Sequence, residues 1–102
     1  MNTKLQVTVF LNAADMSGDV PLHEIIVRRL LHLHIAGATV LRGIMGYGGH
    51  GQVHRKRLLG VSDDQPIVII SIDEQSKIRD VLPELRKLAP DALITVGAVE
   101  AF

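Results

Sequence analysis

Five of the nine glycines fall within nine consecutive positions, at Gly43, Gly46, Gly48, Gly49 and Gly51. Each glycine in a regular element costs roughly 0.5–1 kcal/mol relative to alanine. No packed helix or strand forms cheaply across that stretch, so it separates two halves that must each supply regular elements. At 102 residues there is length for one shared core, because a chain this size buries roughly two thirds of its unfolded surface. Residues 1–102 therefore read as a single domain.

The first half opens with strict alternation. Leu5, Val7, Val9 and Leu11 occupy one face of residues 4–11, and Gln6, Thr8 and Phe10 the other, which predicts a strand with one face on a core. Residues 12–19 contain Ser17-Gly18-Asp19 and read as a loop. Asp19 and Pro21 mark a helix start. Leu22, Ile25, Ile26, Leu30 and Leu33 then recur at helical spacing, predicting a helix to about residue 35 that stops near Gly37. Residues 38–45 return to strand character through Thr39, Val40, Leu41 and Ile44.

The second half follows the turn Ser62-Asp63-Asp64-Gln65-Pro66. Residues 67–72 are nearly all β-branched, which predicts a central strand buried on both faces. Ile78, Val81, Leu82, Leu85, Leu88 and Ala89 form one helical stripe. Asp73 and Glu74 suit its N-terminus, and Pro83 predicts a kink or restart within it. Residues 93–99 are the last strand. The order β-α-β-β-α-β with right-handed crossovers predicts an α+β, ferredoxin-like sandwich: four antiparallel strands with both helices on one face. The other sheet face is left bare and uncharged, which predicts an oligomer interface.

Charge is distributed unevenly. Eleven basic residues balance eleven acidic ones, yet no acid lies between Glu24 and Asp63. Arg28, Arg29, Arg42, Arg55, Lys56 and Arg57 fall inside that window, which points to an anion-facing region. Arg28 and Arg29 equally suit a solvated helix face or pairs with acids from the flanks. There is no cysteine, so disulfides, thiol catalysis and thiolate metal sites are excluded, in keeping with a reducing cytoplasm. No apolar run approaches the ~20 residues that span a bilayer, and MNTKLQVTVFLN lacks a signal-peptide layout. Phe10, Tyr47 and Phe102 are too few aromatics for a single-stranded nucleic-acid platform. The expectation is a cytoplasmic protein with no nucleic-acid partner and no direct membrane insertion.

Ala36-Gly37-Ala38-Thr39-Val40, followed by Arg42-Gly43-Ile44-Met45-Gly46-Tyr47-Gly48, resembles the second strand and loop entry of the PII-like signalling proteins. With Pro21-Leu22, Asp63-Asp64-Gln65-Pro66 and Leu82-Pro83-Glu84-Leu85, nearly the whole chain is similar to a bacterial PII-like family catalogued as a domain of unknown function. The resemblance implies a homotrimer with ligand clefts between subunits. It also implies a mobile loop at about 46–61 that answers to a small anionic ligand and regulates a partner protein, an enzyme or transporter. An adenine nucleotide is the ligand it implies, and Gly37, Thr39, Gly46, Tyr47 and Gly48 are the residues it transfers. The Gly-Asp-Gly-Lys loop of PII proteins has no counterpart here, where Leu88-Ala89-Pro90-Asp91-Ala92 stands instead.

The residue types themselves suit an anion site. Gly37 permits close backbone approach, and the Thr39 hydroxyl can donate. Consecutive glycine N–H groups can form a phosphate nest, and Arg55 and Lys56 bring charge-assisted donors. The same stretch also suits a solvated hairpin loop. Two other classes compete. His50 and His54, four apart, could serve a metal-binding trimer, and an acyl-phosphate hydrolase would need an anion loop with Arg and Asn, of which only Asn2 and Asn12 exist. No nucleophile elbow or triad is visible, so no catalytic residue is expected.

Overall fold

The computed structural model of the chain describes residues 2–47 and 65–102. Strand β1 (Asn2–Asn12) carries the expected alternation, with Leu5, Val7 and Val9 buried and Phe10 exposed. Residues 12–21 do more than loop. Asn12 Oδ1 accepts from the Ala14 N–H at 3.0 Å, and Asp15 Oδ2 accepts from the Asn12 N–H at 2.9 Å. The chain then forms a small ribbon of β2 (Met16–Ser17) and β3 (Val20–Pro21). Gly18, at φ +64°, supplies the positive φ that a two-residue hairpin needs at its first central position.

Helix α1 (Leu22–His32) begins with Pro21 as its N-cap, so Asp19 stays outside it. Its end also differs from expectation: the stop is at His34, not Gly37. His34 takes φ +62°, its N–H bonds to the Leu31 carbonyl, and the Ile35 N–H bonds to the Leu30 carbonyl, each at 3.0 Å. This is a Schellman closure, and its usual apolar contact is present because Ile35 and Leu30 both join the core. The buried Ile35 fixes where the helix ends, which leaves Gly37 beyond it.

Strand β4 (Thr39–Arg42) is shorter than the predicted 38–45, since Pro66, next along β5 after Arg42's partner Ile67, has no N–H to continue the ladder. Strand β5 (Pro66–Asp73) is central in order but covered on one face only. Ile67, Ile69, Ser71 and Asp73 are buried, whereas Ile72 on the other face is exposed. Helix α2 (Gln75–Leu88) continues through Pro83 without a restart. An interior proline costs about 3 kcal/mol, but Ile78, Val81 and Leu85 are buried on both sides of it. At roughly 1.5–3 kcal/mol per buried aliphatic side chain, packing outweighs the local penalty. Strand β6 (Leu93–Ala101) runs two residues past the predicted end, held by pairing of Asn2 with Ala101 and Thr3 with Glu100.

The main sheet has the order β4-β5-β1-β6, every pair antiparallel. The register places Val9 opposite Ile69 and Ile94, and Val7 opposite Ser71 and Val96. These positions share the face on which Ile26 and Leu30 of α1 and Ile78, Val81 and Leu85 of α2 close the core. Both helices therefore cover one face, as predicted. On the open face, Leu41, Val68, Phe10 and Leu93 form one cross-strand row, and Thr39, Ile70, Thr8 and Thr95 the next.

Candidate functional site

The edge strand β4 carries the described part of the candidate site. Thr39 pairs with Ile70 and Leu41 with Val68, so both stand on the open face, while Val40 and Arg42 stand on the helix face. Gly37 precedes the strand. A Cβ built there meets nothing within 4 Å, and its φ is not in the left-handed region. Its openness, rather than any turn, is what it offers a ligand. Gly46 and Tyr47 follow the strand, Tyr47 almost fully exposed.

Thr39 and Gly46 lie at opposite ends of β4. Thr39 is level with Ile70 and Gly46 packs toward Pro66, four residues of β5 apart. That is about 13 Å at ~3.3 Å per residue. No single phosphate on one protomer touches both. Gly48, Arg55 and Lys56, the histidines His50 and His54, and most of the loop expected at 46–61 lie outside the described residues.

The loop root is built on Pro66, whose local sequence marks it only as part of a turn. The Gly43 N–H donates to the Pro66 carbonyl at 2.8 Å. A Cβ on Gly43 would fall 2.7 Å from Pro66 Cγ, and one on Gly46 3.2 Å from it. Arg42 donates to Gln65 Oε1 at 3.1 Å, and the Gln65 carbonyl accepts from the Ala13 N–H at 2.8 Å. Gly43→Ala is therefore expected to destabilise the fold by about 1–3 kcal/mol, the usual range for overpacking. Urea denaturation checks this, and Pro66→Ala in the same chain, by removing Cγ, should restore part of the loss.

At the other end of β4 stands a buried carboxylate. Asp73 is 5% exposed. Its Oδ1 accepts from the Glu74 N–H at 2.7 Å and its Oδ2 from the Ala36 N–H at 2.8 Å. The Lys77 ammonium lies 3.2 Å from Oδ2 and also donates to the His34 carbonyl at 2.6 Å. Burial pushes the carboxyl pKa up, but the two N–H donors and Lys77 outweigh it and hold the group below its ordinary 3.8. A lowered folded-state pKa contributes stability above the unfolded value and loses it as pH falls through the folded one. The urea midpoint should accordingly drop below about pH 4 in the parent, with a flatter acid limb in Asp73→Asn.

The positive window is partly neutralised within the fold. Arg28 pairs with Glu24 at 2.8 Å, and Arg29 pairs with Glu84. A shallow open depression on α1, lined by Ile25, Arg28, Arg29 and His32, thus presents arginines already in ion pairs. The turn after α2, where Leu88-Ala89-Pro90-Asp91-Ala92 stands, is closed by Arg86, which donates to the carbonyls of Ala89, Pro90 and Ala92 at 3.0, 2.9 and 2.9 Å. The Asn12 side chain is engaged in its local turn. Among the described residues no group of three His, Cys, Asp or Glu could hold a metal, and no helix is long and apolar enough to cross a membrane.

The sheet order, the antiparallel register and two helices on one face define a ferredoxin-like α+β domain. CPII, a nitrogen regulatory PII-like protein from Thiomonas intermedia K12 solved with ADP, AMP and bicarbonate, matches at TM-score 0.71 and 14% identity, over 99% of this chain and 97% of CPII. A PII-like signaling protein from Thermus thermophilus matches at TM-score 0.59 and 15% identity, over 95% and 85% of the two chains. Residues 4–101 match the DUF190 family, described as uncharacterized ACR. A UPF0166 protein of Aquifex aeolicus is 33% identical over 82 residues, 80% of this chain and 77% of the relative. A UPF0166 protein of Methanocaldococcus jannaschii is 32% identical over 77 residues, 76% and 70%. The chain belongs to the DUF190 family.

Proposed function

We propose that this chain is a PII-like signalling sensor of the cytoplasm rather than an enzyme: a homotrimer that binds an adenine nucleotide between subunits. One protomer contributes Gly37 and Thr39, and the next contributes Gly46, Tyr47 and Gly48 with Arg55 and Lys56 as cations. The ligand orders the loop at 46–61, which then engages a regulated enzyme or transporter. The observation that carries this reading is the placement of the two glycine-flanked ends of β4. They are about 13 Å apart by strand rise, too far for one phosphate to bridge within a protomer, whereas copies packed with opposite ends together would bring both to one phosphate. The open face, uncharged around Phe10 and Thr8, offers the surface on which copies would pack, and the similar protein CPII was solved with ADP and AMP.

A thermal-shift comparison of ADP, AMP and divalent metals tests it. A ligand at 100-fold over its Kd adds about 2.7 kcal/mol to stability, so ADP or AMP should raise Tm by several degrees. A rise with zinc or nickel alone would instead favour the metal reading through His50 and His54.

A further inference from the structure

We propose that Asp73 is the positioning residue of the ligand-facing segment: through Ala36 it sets where Gly37 and Thr39 stand against β5 and α2. This rests on the reading of Gly37 and Thr39 as ligand contacts. The carboxylate sits at the end of β5, buried, with its two oxygens aimed in different directions. Oδ1 makes a local bond to the adjacent Glu74 N–H, as a residue ahead of a helix commonly does. Oδ2 reaches back 37 positions to the Ala36 N–H, the residue immediately before Gly37. A role confined to α2 needs only the first bond.

The segment ahead of Gly37 is held at three consecutive residues. The His34 carbonyl accepts from Lys77 Nζ, the Ile35 N–H is bonded to Leu30, and the Ala36 N–H is bonded to Asp73. Lys77 touches both the first of these points and the Asp73 carboxylate. The helix exit, the start of α2 and the entry to β4 thus meet on one carboxylate. Burying a charge is expensive unless it is paired and hydrogen-bonded, and an apolar side chain would fill the same space without that penalty. What the carboxylate alone adds is a directional hold on the backbone from which Gly37 and Thr39 project.

The test compares the full-length parent, Asp73→Asn and Lys77→Met by amide exchange and by calorimetric titration with ADP, at a temperature where all are folded. In Asp73→Asn, exchange at Ala36 should rise and the Kd for ADP should weaken, each about tenfold, the factor matching one hydrogen bond of ordinary strength. Amides of Ile26 and Ile69 should keep their protection. Lys77→Met, which leaves the carboxylate in place, should shift both readouts less. Unchanged exchange at Ala36 overturns the proposal, and so does unchanged ADP affinity despite faster exchange, since a merely structural residue behaves that way. If Asp73→Asn does not fold, Asp73→Glu, which keeps the charge but moves the oxygens by one methylene, decides by the same two readouts, and no shift in either overturns the proposal. A parent that ignores ADP overturns the nucleotide reading itself, while exchange at Ala36 still decides separately whether Asp73 holds the segment.

Discussion

Phe10→Asp is expected to leave the chain a folded monomer at micromolar concentration, where the parent, with a chain of 11.1 kDa, is expected to sediment as three copies. Phe10 is 41% exposed and lies mid-row on the open face, between Val68 on β5 and Leu93 on β6. Neighbouring rows carry Ile70, Ile72 and threonines, so the rows around Phe10 have no charge to receive a carboxylate. The first charge reached along β1 is Lys4, already paired with Glu74 at 2.7 Å. With 41% of its surface still exposed, Phe10 has roughly 60–100 Å² of an aromatic side chain's 150–250 Å² left to bury, worth about 1.5–2.5 kcal/mol per copy at 25 cal/mol per Å². An unpaired carboxylate there adds a desolvation penalty of several kcal/mol. Helix packing on the opposite face is untouched, so circular dichroism should stay native. A parent that sediments as a monomer, or a variant that stays trimeric, contradicts this.

Replacing Arg55 and Lys56 together by alanine should weaken an adenine nucleotide at least a hundredfold. Each charge-assisted hydrogen bond to phosphate is worth about 1.5–3 kcal/mol, and every 1.4 kcal/mol is a factor of about ten in Kd. Folding stability should change by no more than about 0.5 kcal/mol, as for substitutions away from a core. The acid-free window from Glu24 to Asp63 motivates the choice. Within it, Arg28 and Arg29 are committed to Glu24 and Glu84. Calorimetric titration reads the effect, and a double variant that binds ADP as tightly as the parent would remove these cations from the site.

Period two in β1 and the helical stripe of α2 are legible because burial on one face leaves a direct imprint on residue choice. The α+β order follows from them. Features that depend on contacts distant in sequence are not legible. Ile35 joining the core moves the helix stop to His34, a residue type that seldom marks a left-handed terminator. Pro83 is tolerated because the stripe around it is buried, an effect local propensity does not register. The run at 67–72 reads as buried on both faces, yet one face is open in the single chain. That composition suits a strand covered by another copy.

The candidate site is legible only in part. Gly37, Thr39 and the glycine cluster are visible as residue types suited to a close-approaching anion. The partners that build the site are not. Pro66 has the look of a turn former, yet its ring is what Gly43 and Gly46 make room for. Asp73 has the look of a helix-start acid, yet one of its oxygens holds Ala36, far back in the sequence. An adjacent Pro-to-strand junction is the one local signal for the former, and nothing local marks the latter.

Titrating ADP into the parent and into monomeric Phe10→Asp tests the central claim most directly. The account predicts saturable binding to the parent with three equivalent sites per trimer, and no measurable binding to the monomer. Equal affinity in the two, which would place the whole site within one protomer, or no binding to a trimeric parent, would contradict it.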